Sequence, residues 1–402
     1  LSNWIQEVLD ATEEAESPRP FLLWGGLVAI SAIMRRNVWV QKGKLYKLYP
    51  NVYVMLIARS GGRKGFPVSL SRKLVEEVGN TRIINGRSSI QAIIQDLGTA
   101  FSVEGRPPII DAHALLSFPE FGSSLVDDPD ALTILTDLYD SHAHDIWTNN
   151  LKGSGKTQLK NPCISILAAS NEAHFHDKVG ETSVLGGFVA RTVLVDEKKK
   201  SRINPLIDDS GSEINIKELA RYLIELSKLN GPFIWSPSAK TLYKEWYTDF
   251  SNKLEESEKD DPTGTSDRIH DTIIKTSMLL SLADKPELVI EKGAVNAAIE
   301  LCLKSAGDAG RITQGRGKGE SAEGTRLVVN EIGKSKTGSI LRTELLRRHY
   351  GTFDSSGLDR IAETLVQAEL IEVVGTGRST TYVAKEKMAK VVEHLKKKVE
   401  NE

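Results

Sequence analysis

The apolar positions of this chain fall into three textures, and each predicts a different kind of element. Residues 21–34 (FLLWGGLVAISAIM) are apolar on every side, the pattern of a helix buried all round. The run is shorter than the ~20 residues a bilayer needs and ends at Arg35-Arg36, so it predicts a core helix rather than a membrane span or a signal peptide. Short β-prone runs at 52–57, 109–118 (IIDAHALLSF), 163–170 (CISILAAS) and 192–197 (TVLVDE) predict strands of a buried parallel sheet. Alternation in VWVQ and KLYKLY predicts a small strand pair, and TRIING a further strand. Residues 2–16 predict an amphipathic helix opened by Ser2, SSIQAIIQDLG a helix capped by Ser88 or Ser89, and PDALTILTDLYDS another helix. SVLGGFVA reads as a Gly-rich turn before Arg191 and the last core strand.

Beyond the strands the texture changes. Residues 198–213 are charge-rich and predict a linker. Apolar spacing of i, i+3, i+4 then runs through INIKELARYLIELSKL, SAKTLYKEWYTDFSNKLEESEK, RIHDTIIKTSMLLSLAD and EKGAVNAAIELCLKSAGDAG, predicting a helical subdomain. A second, Gly-rich linker (311–324) precedes helix, helix, helix and a two-strand hairpin in close order, which fits a winged helix. The expected organisation is an α/β core over 1–200 with N-terminal helices, a helical subdomain over 201–315 and a winged helix over 322–402.

Composition narrows the function. Apolar residues make up 40% and charged residues 26%, so the chain is globular. A net charge of −2 excludes a strongly basic nucleic-acid coat, so any DNA contact must come from local patches. Cys163 and Cys302 are too few and too far apart for a disulfide scaffold or a zinc site, which points to a reducing, cytoplasmic setting and no metal cluster. The chain opens on Leu1, which fits a piece of a longer protein, an upstream primase domain being one candidate.

Candidate chemistry begins where the 52–57 strand stops. The turn ARSGGRKG lies between a strand and a helical pattern, the setting in which backbone N–H groups and a lysine cradle phosphates. Lys64 has the spacing of the phosphate-loop lysine, with Ser60, Gly61, Gly62, Arg63 and Gly65 around it. Ala58 replaces the opening glycine, and Gly65-Phe66 replaces the hydroxyl that would ligate magnesium. An ordinary strand-to-helix surface turn is the other reading of this stretch. The 109–118 strand ends at Pro119-Glu120, where P-loop enzymes keep a magnesium-holding aspartate and a water-orienting glutamate. A solvated Glu120 on a surface turn is the alternative.

A second stretch, GSGKT at 153–157, looks more like a phosphate loop than the first, but Pro162 and a strand follow it rather than a helix. Its flanks predict a β-hairpin with Lys156 near the tip. Asn171 ends the 163–170 strand, where a polar group would sense a γ-phosphate. Arg191 either reaches a neighbouring subunit's nucleotide or is an exposed strand residue, and Arg268 either faces the nucleotide from a lid or sits on a helix surface. In the C-terminal region Arg378, Arg347 and Arg348 are the better DNA-phosphate contacts. Arg360 shares its helix with Asp354, Asp359 and Glu363, so protein docking is an open alternative there.

Together, PNVYVMLIARSGGRKG, ALLSFPEFG, ALTILTDLYD, the hairpin before NPCISILAASN, and GGFVARTVLV resemble the P-loop ATPases of bacteriophages and integrated elements. These are replication-module proteins of helicase-like or primase-helicase-like type. The resemblance spans about residues 15–200, and the region around Arg268 loosely. It implies a RecA- or AAA-like core using ATP and Mg2+ and working as a homo-oligomeric ring on DNA, with no membrane partner. It also implies that Lys64 binds phosphate, Glu120 polarises water, Asn171 senses the γ-phosphate and Arg191 acts across a subunit boundary. The expected function is an ATP-dependent DNA motor, a hexameric helicase. The alternatives are a nucleotide-binding replication initiator or helicase loader, and a non-hydrolysing DNA-binding scaffold.

Overall fold

The computed structural model describes residues 3–86, 88–102, 108–121, 125, 128, 130–141, 145–151, 155–172, 175, 184–204, 214–256, 261, 263–314, 319–335, 337–350, 352–385 and 388. Two compact units divide the chain, Leu1–Gly310 and Arg311–Glu402.

The first unit opens with α1 (Asn3–Ala11) and α2 (Arg19–Met34), followed by β1 (Val38–Lys42) and β2 (Tyr46–Leu48). Then come β3 (Tyr53–Ile57), α3 (Gly65–Val78), β4 (Arg82–Asn85), α4 (Ile90–Leu97) and β5 (His113–Phe118). After α5 (Ala131–Tyr139) the chain forms β6 (Ile146–Leu151), β7 (Gly155–Lys160), β8 (Cys163–Ser170), α6 (Val184–Ala190) and β9 (Thr192–Asp196). Helix α7 (Ile216–Leu226), the short strands β10 (Gly231–Pro232) and β11 (Ile234–Trp235), α8 (Pro237–Glu255), α9 (Thr265–Asp284), β12 (Val289–Ile290) and α10 (Lys292–Gln314) follow.

The architecture is α/β, built on a five-stranded, all-parallel sheet in the order β4-β5-β8-β3-β9. Strands β3, β5, β8 and β9 are buried along their whole length, which accounts for their continuous apolar runs. The chain leaves β3 for the far edge at β4, whereas it leaves β8 in the opposite direction, over β3 to β9. Right-handed crossovers in opposite directions put α3 and α6 on opposite faces and open a crevice between the carboxyl ends of β3 and β8. β9 is an edge strand, and its outward N–H groups are covered. Leu194 N donates to Ser305 Oγ at 2.9 Å and Asp196 N to Asp308 Oδ2 at 3.1 Å, both from α10.

Helix α2 is buried from Phe21 to Met34, as its all-round apolarity requires. It packs on α3, and Gly25 permits the approach: a Cβ there would stand 3.2 Å from Pro67 O. Ser89 caps α4 through Ala92 N, while Ser2 lies outside the described residues. The stretch around Gly187, expected to be a turn, is helical as α6. Gly187 faces Thr136 of α5, so its missing side chain allows two helices to pack rather than bending the chain. The helices after residue 214 do not form a core of their own. Leu219, Leu223, Ile273 and Met278 share one apolar cluster with Leu56 and Val195 of the sheet.

The second unit contains α11 (Gly319–Lys334), β13 (Ser339–Leu341), α12 (Arg342–Arg348), α13 (Ser355–Gln367), β14 (Ile371–Val374) and β15 (Thr381–Ala384). Its sheet is antiparallel in the order β13-β15-β14, over a core that includes Val328, Leu345, Leu358, Ile361 and Tyr382. Much of the expected linker over 311–324 is helix instead. Gly324 is a packing residue, since a Cβ there would come within 2.6 Å of Ile361 Cδ1.

One buried charge gives the first unit a pH signature. Lys275 on α9 is 2% exposed, donates to Asn51 Oδ1 at 2.9 Å and sits 3.7 Å from the centre of the Tyr139 ring. Burial pulls its pKa from 10.5 down to about 8. Between those values the unfolded chain binds the extra proton, so stability rises with pH across that window. Thermal denaturation should show the wild type gaining on Lys275→Met from pH 8 to 10.5, on the order of 3 kcal/mol at most. A constant difference between the two would mean that the ammonium is not desolvated.

Candidate functional site

The carboxyl ends of β3, β5 and β8 are joined by backbone hydrogen bonds beyond the regular ladder. Ala58 N donates to Ser170 O at 3.3 Å and Phe121 N to Ala169 O at 2.7 Å. These bonds bring three separate turns to one rim. The result is an open cleft of about 1050 Å³, walled by residues 60–66 after β3, Phe118–Phe121 at the end of β5 and Ala169–Asn171 at the end of β8. Ser60, Gly61, Gly62, Arg63, Lys64, Gly65, Glu120 and Asn171 all line it, so eight of the residues singled out from sequence meet in one place.

The turn after β3 is shaped by its glycines. Gly61 has φ +77°, and a Cβ on Gly62 would stand 2.7 Å from that of Ala58. The turn delivers Lys64 to the N-cap of α3, whose first residues, Gly65 and Phe66, line the cleft. Lys64 Nζ donates to Ala58 O at 2.7 Å and Arg59 O at 3.0 Å, curled onto its own loop. Burial lowers its pKa, and the Glu120 carboxylate opposes that shift. Glu120 and Asn171 are solvent-exposed at the rim.

Arg63 carries information that spacing alone could not give. It is left-handed at φ +56°, and Ser17 Oγ donates to its carbonyl at 2.8 Å. Its Nε donates to Glu16 Oε2 at 2.5 Å. Glu16, with a 7% exposed side chain, also accepts from Lys200 Nζ at 2.9 Å and from Asn204 N at 3.3 Å. The Lys200 ammonium and the Arg63 guanidinium hold the Glu16 carboxyl down to about 2. Sequence reading missed Glu16. Its one signal was an acid placed just ahead of the Pro18-Arg19-Pro20 break.

Magnesium, implied by the P-loop resemblance, does not fit the donor set described. Gly65 and Phe66 follow the lysine where a hydroxyl would stand, Pro119 occupies the aspartate position, and Glu120 is the cleft's single carboxylate among the described residues. No group of three or more His, Cys, Asp or Glu residues that could hold a metal occurs among the described residues.

Two expected site residues lie elsewhere. Arg191 is 9% exposed and donates to Asp140 Oδ2 at 2.6 Å and Gly187 O at 3.1 Å. It immediately precedes β9, at the amino end of the sheet, whereas the cleft is at the carboxyl end. The expectation that it projects from a subunit edge is therefore corrected: the guanidinium is buried and paired with the half-buried Asp140. Arg268 is exposed on α9 and does not line the cleft. Its helix is tied to the amino end of β3 through Lys275 and Asn51. Lys156 and Thr157, from the second lysine motif, sit in β7 paired with Asn150 and Asn149 of β6, with no helix after them.

In the second unit Arg347 and Arg360 are exposed. Arg348 is held by Glu331 at 2.7 Å and Glu344 at 2.5 Å, which removes it from the free cations expected for DNA. The side chain of Arg378 lies outside the described residues. Asp359 on α13 is gripped by Arg342 through three contacts of 2.8–3.0 Å, leaving Arg360 and Glu363 as the charges on that exposed face. Among the described residues no helix is long and apolar enough to cross a membrane. No protein-family model matches the sequence, and no curated protein matches it.

The position of Arg191 generates a direct expectation. Arg191→Ala strands a carboxylate beside the core and should lower unfolding stability by about 2–3 kcal/mol, read by urea denaturation. An unchanged midpoint would return Arg191 to the surface role read from sequence.

Proposed function

We propose that the chain is an ATP-binding P-loop protein, an ATPase that acts on DNA in the replication of a phage or mobile element. The observation that carries the reading is the convergence of Lys64, Glu120 and Asn171 on one cleft at the switch point of the parallel sheet. In this reading Gly61 and Gly62 let the backbone approach the phosphates, and the amides opening α3 face them. Lys64 leaves its loop carbonyls to neutralise the β- and γ-phosphates. Glu120 polarises the attacking water, and Asn171 meets the γ-phosphate. The C-terminal unit follows the element order of a winged helix, with Arg347 and Arg360 as its candidate phosphate contacts.

Within this reading, the buried Arg191 favours a nucleotide-binding initiator or helicase loader over a ring-shaped motor. A ring-shaped motor can supply a cation across the subunit boundary, and the residue expected for that task is committed to Asp140. A strand-displacement assay on forked DNA separates the two, with no unwinding expected from the loader.

Lys64→Ala should abolish ATP binding while Lys156→Ala leaves it intact, measured by titration calorimetry. The opposite result would move the nucleotide to the hairpin. Glu120→Gln should keep binding and slow turnover by roughly 10²-fold or more, and unchanged turnover would make Glu120 a solvated rim residue. Removing residues 319–402 should leave the first unit folded, because the second has a core of its own. If the second unit holds DNA, removal weakens binding and flattens its salt dependence. Full DNA affinity in the truncated chain would assign the second unit to protein docking.

A further inference from the structure

We infer that this site binds nucleoside triphosphate without a divalent metal, with the Arg63 guanidinium, oriented by Glu16, supplying the second positive charge beside Lys64. The inference rests on the nucleotide reading of the cleft and goes beyond it.

The geometry begins with what the loop lacks. A phosphate loop normally pairs a lysine with a metal ion held by a hydroxyl and an acid. Here Gly65, Phe66 and Pro119 occupy those positions, and Phe66 turns an apolar ring, 37% exposed, toward the same rim. A polyanion entering the cleft would therefore meet Lys64 with no site for the usual partner cation among the described residues. Among the described residues, the remaining cation lining the cleft is Arg63.

Arg63 is arranged for such a role. A guanidinium carries five N–H donors in a planar fork. Glu16 takes the Nε–H, the side chain is 55% exposed, and among the described residues the Nη groups have no hydrogen-bond partner. The residue adopts a left-handed backbone that a non-glycine side chain disfavours. Two contacts from the segment before α2 hold it there: the Glu16 carboxylate on the side chain and the Ser17 hydroxyl on the carbonyl. Glu16 is in turn clamped by Lys200 and by the backbone of Asn204. The carboxylate thus acts as a positioning residue. It holds the fork through Nε and, among the described residues, leaves the Nη groups that match phosphate oxygens unpaired.

The test is ATP binding to the full chain by calorimetry, once in EDTA and once in magnesium chloride. The expected dissociation constants agree within about threefold. Arg63→Ala, on an exposed side chain, should weaken binding in EDTA by about tenfold or more, with no rescue by magnesium. Glu16→Gln should weaken it less, and in both buffers alike. Binding that appears only with magnesium overturns the inference and leaves the nucleotide site standing, as does an Arg63→Ala chain with wild-type affinity. Binding in neither buffer removes the nucleotide reading, and the inference falls with it.

Discussion

The parallel pairing of β3 between β8 and β9 is the constraint from which the rest of the first unit follows. A strand buried on both faces and hydrogen-bonded on both edges has one free end, and its chain must leave at the carboxyl side. Because the crossovers from β3 and β8 depart in opposite directions, that exit opens into a crevice rather than under a helix. The turn 58–64 then has to reverse within a few residues, which the positive φ of Gly61 and the bare Cα of Gly62 allow. Lys64 arrives at the start of α3 as a consequence. Glu120 and Asn171 arrive beside it because β5 and β8 end in register with β3.

Electrostatics divide the molecule between the two ends of the sheet. At the amino end, the buried Arg191 pairs with the half-buried Asp140, and the buried Lys275 donates to the buried Asn51. These charges hold helices α5, α6 and α9 to the strands and are closed to ligands. At the carboxyl end Lys64 rests on loop carbonyls and the Arg63 side chain is exposed, so positive charge is displayed there. A polyanion has reason to bind at one end only. The second unit shows the same economy on its surface, where Arg342 and Arg348 are consumed by Asp359, Glu331 and Glu344.

Much of this was legible in the sequence. Continuous apolar runs gave β3, β5, β8 and β9, because strands covered on both faces leave no polar alternation. The cleft residues were legible because each follows such a strand directly. Four features were not. Glycine was read as flexibility at Gly187 and Gly324, whereas both are packing positions whose partners are distant in sequence. Arg191 was read as a projecting cation, since spacing does not disclose that Asp140, on the exit of α5, lies against it. The i, i+3, i+4 spacing after a charge-rich linker predicts a separate helical subdomain, yet Leu219 and Ile273 complete the core that Leu56 begins. Glu16 was hidden for the same reason: its partners are Arg63 and Lys200, far along the chain on both occasions.

The central claim is that the turn after β3 receives the nucleotide's phosphates. Amide hydrogen exchange, followed by mass spectrometry with and without ATP, tests it most directly. The account predicts added protection confined to residues 58–68 and to the turns at 119–121 and 170–172, with the 155–160 strand unchanged. Protection centred on residues 155–160, or none at the β3 turn under saturating ATP, would contradict it.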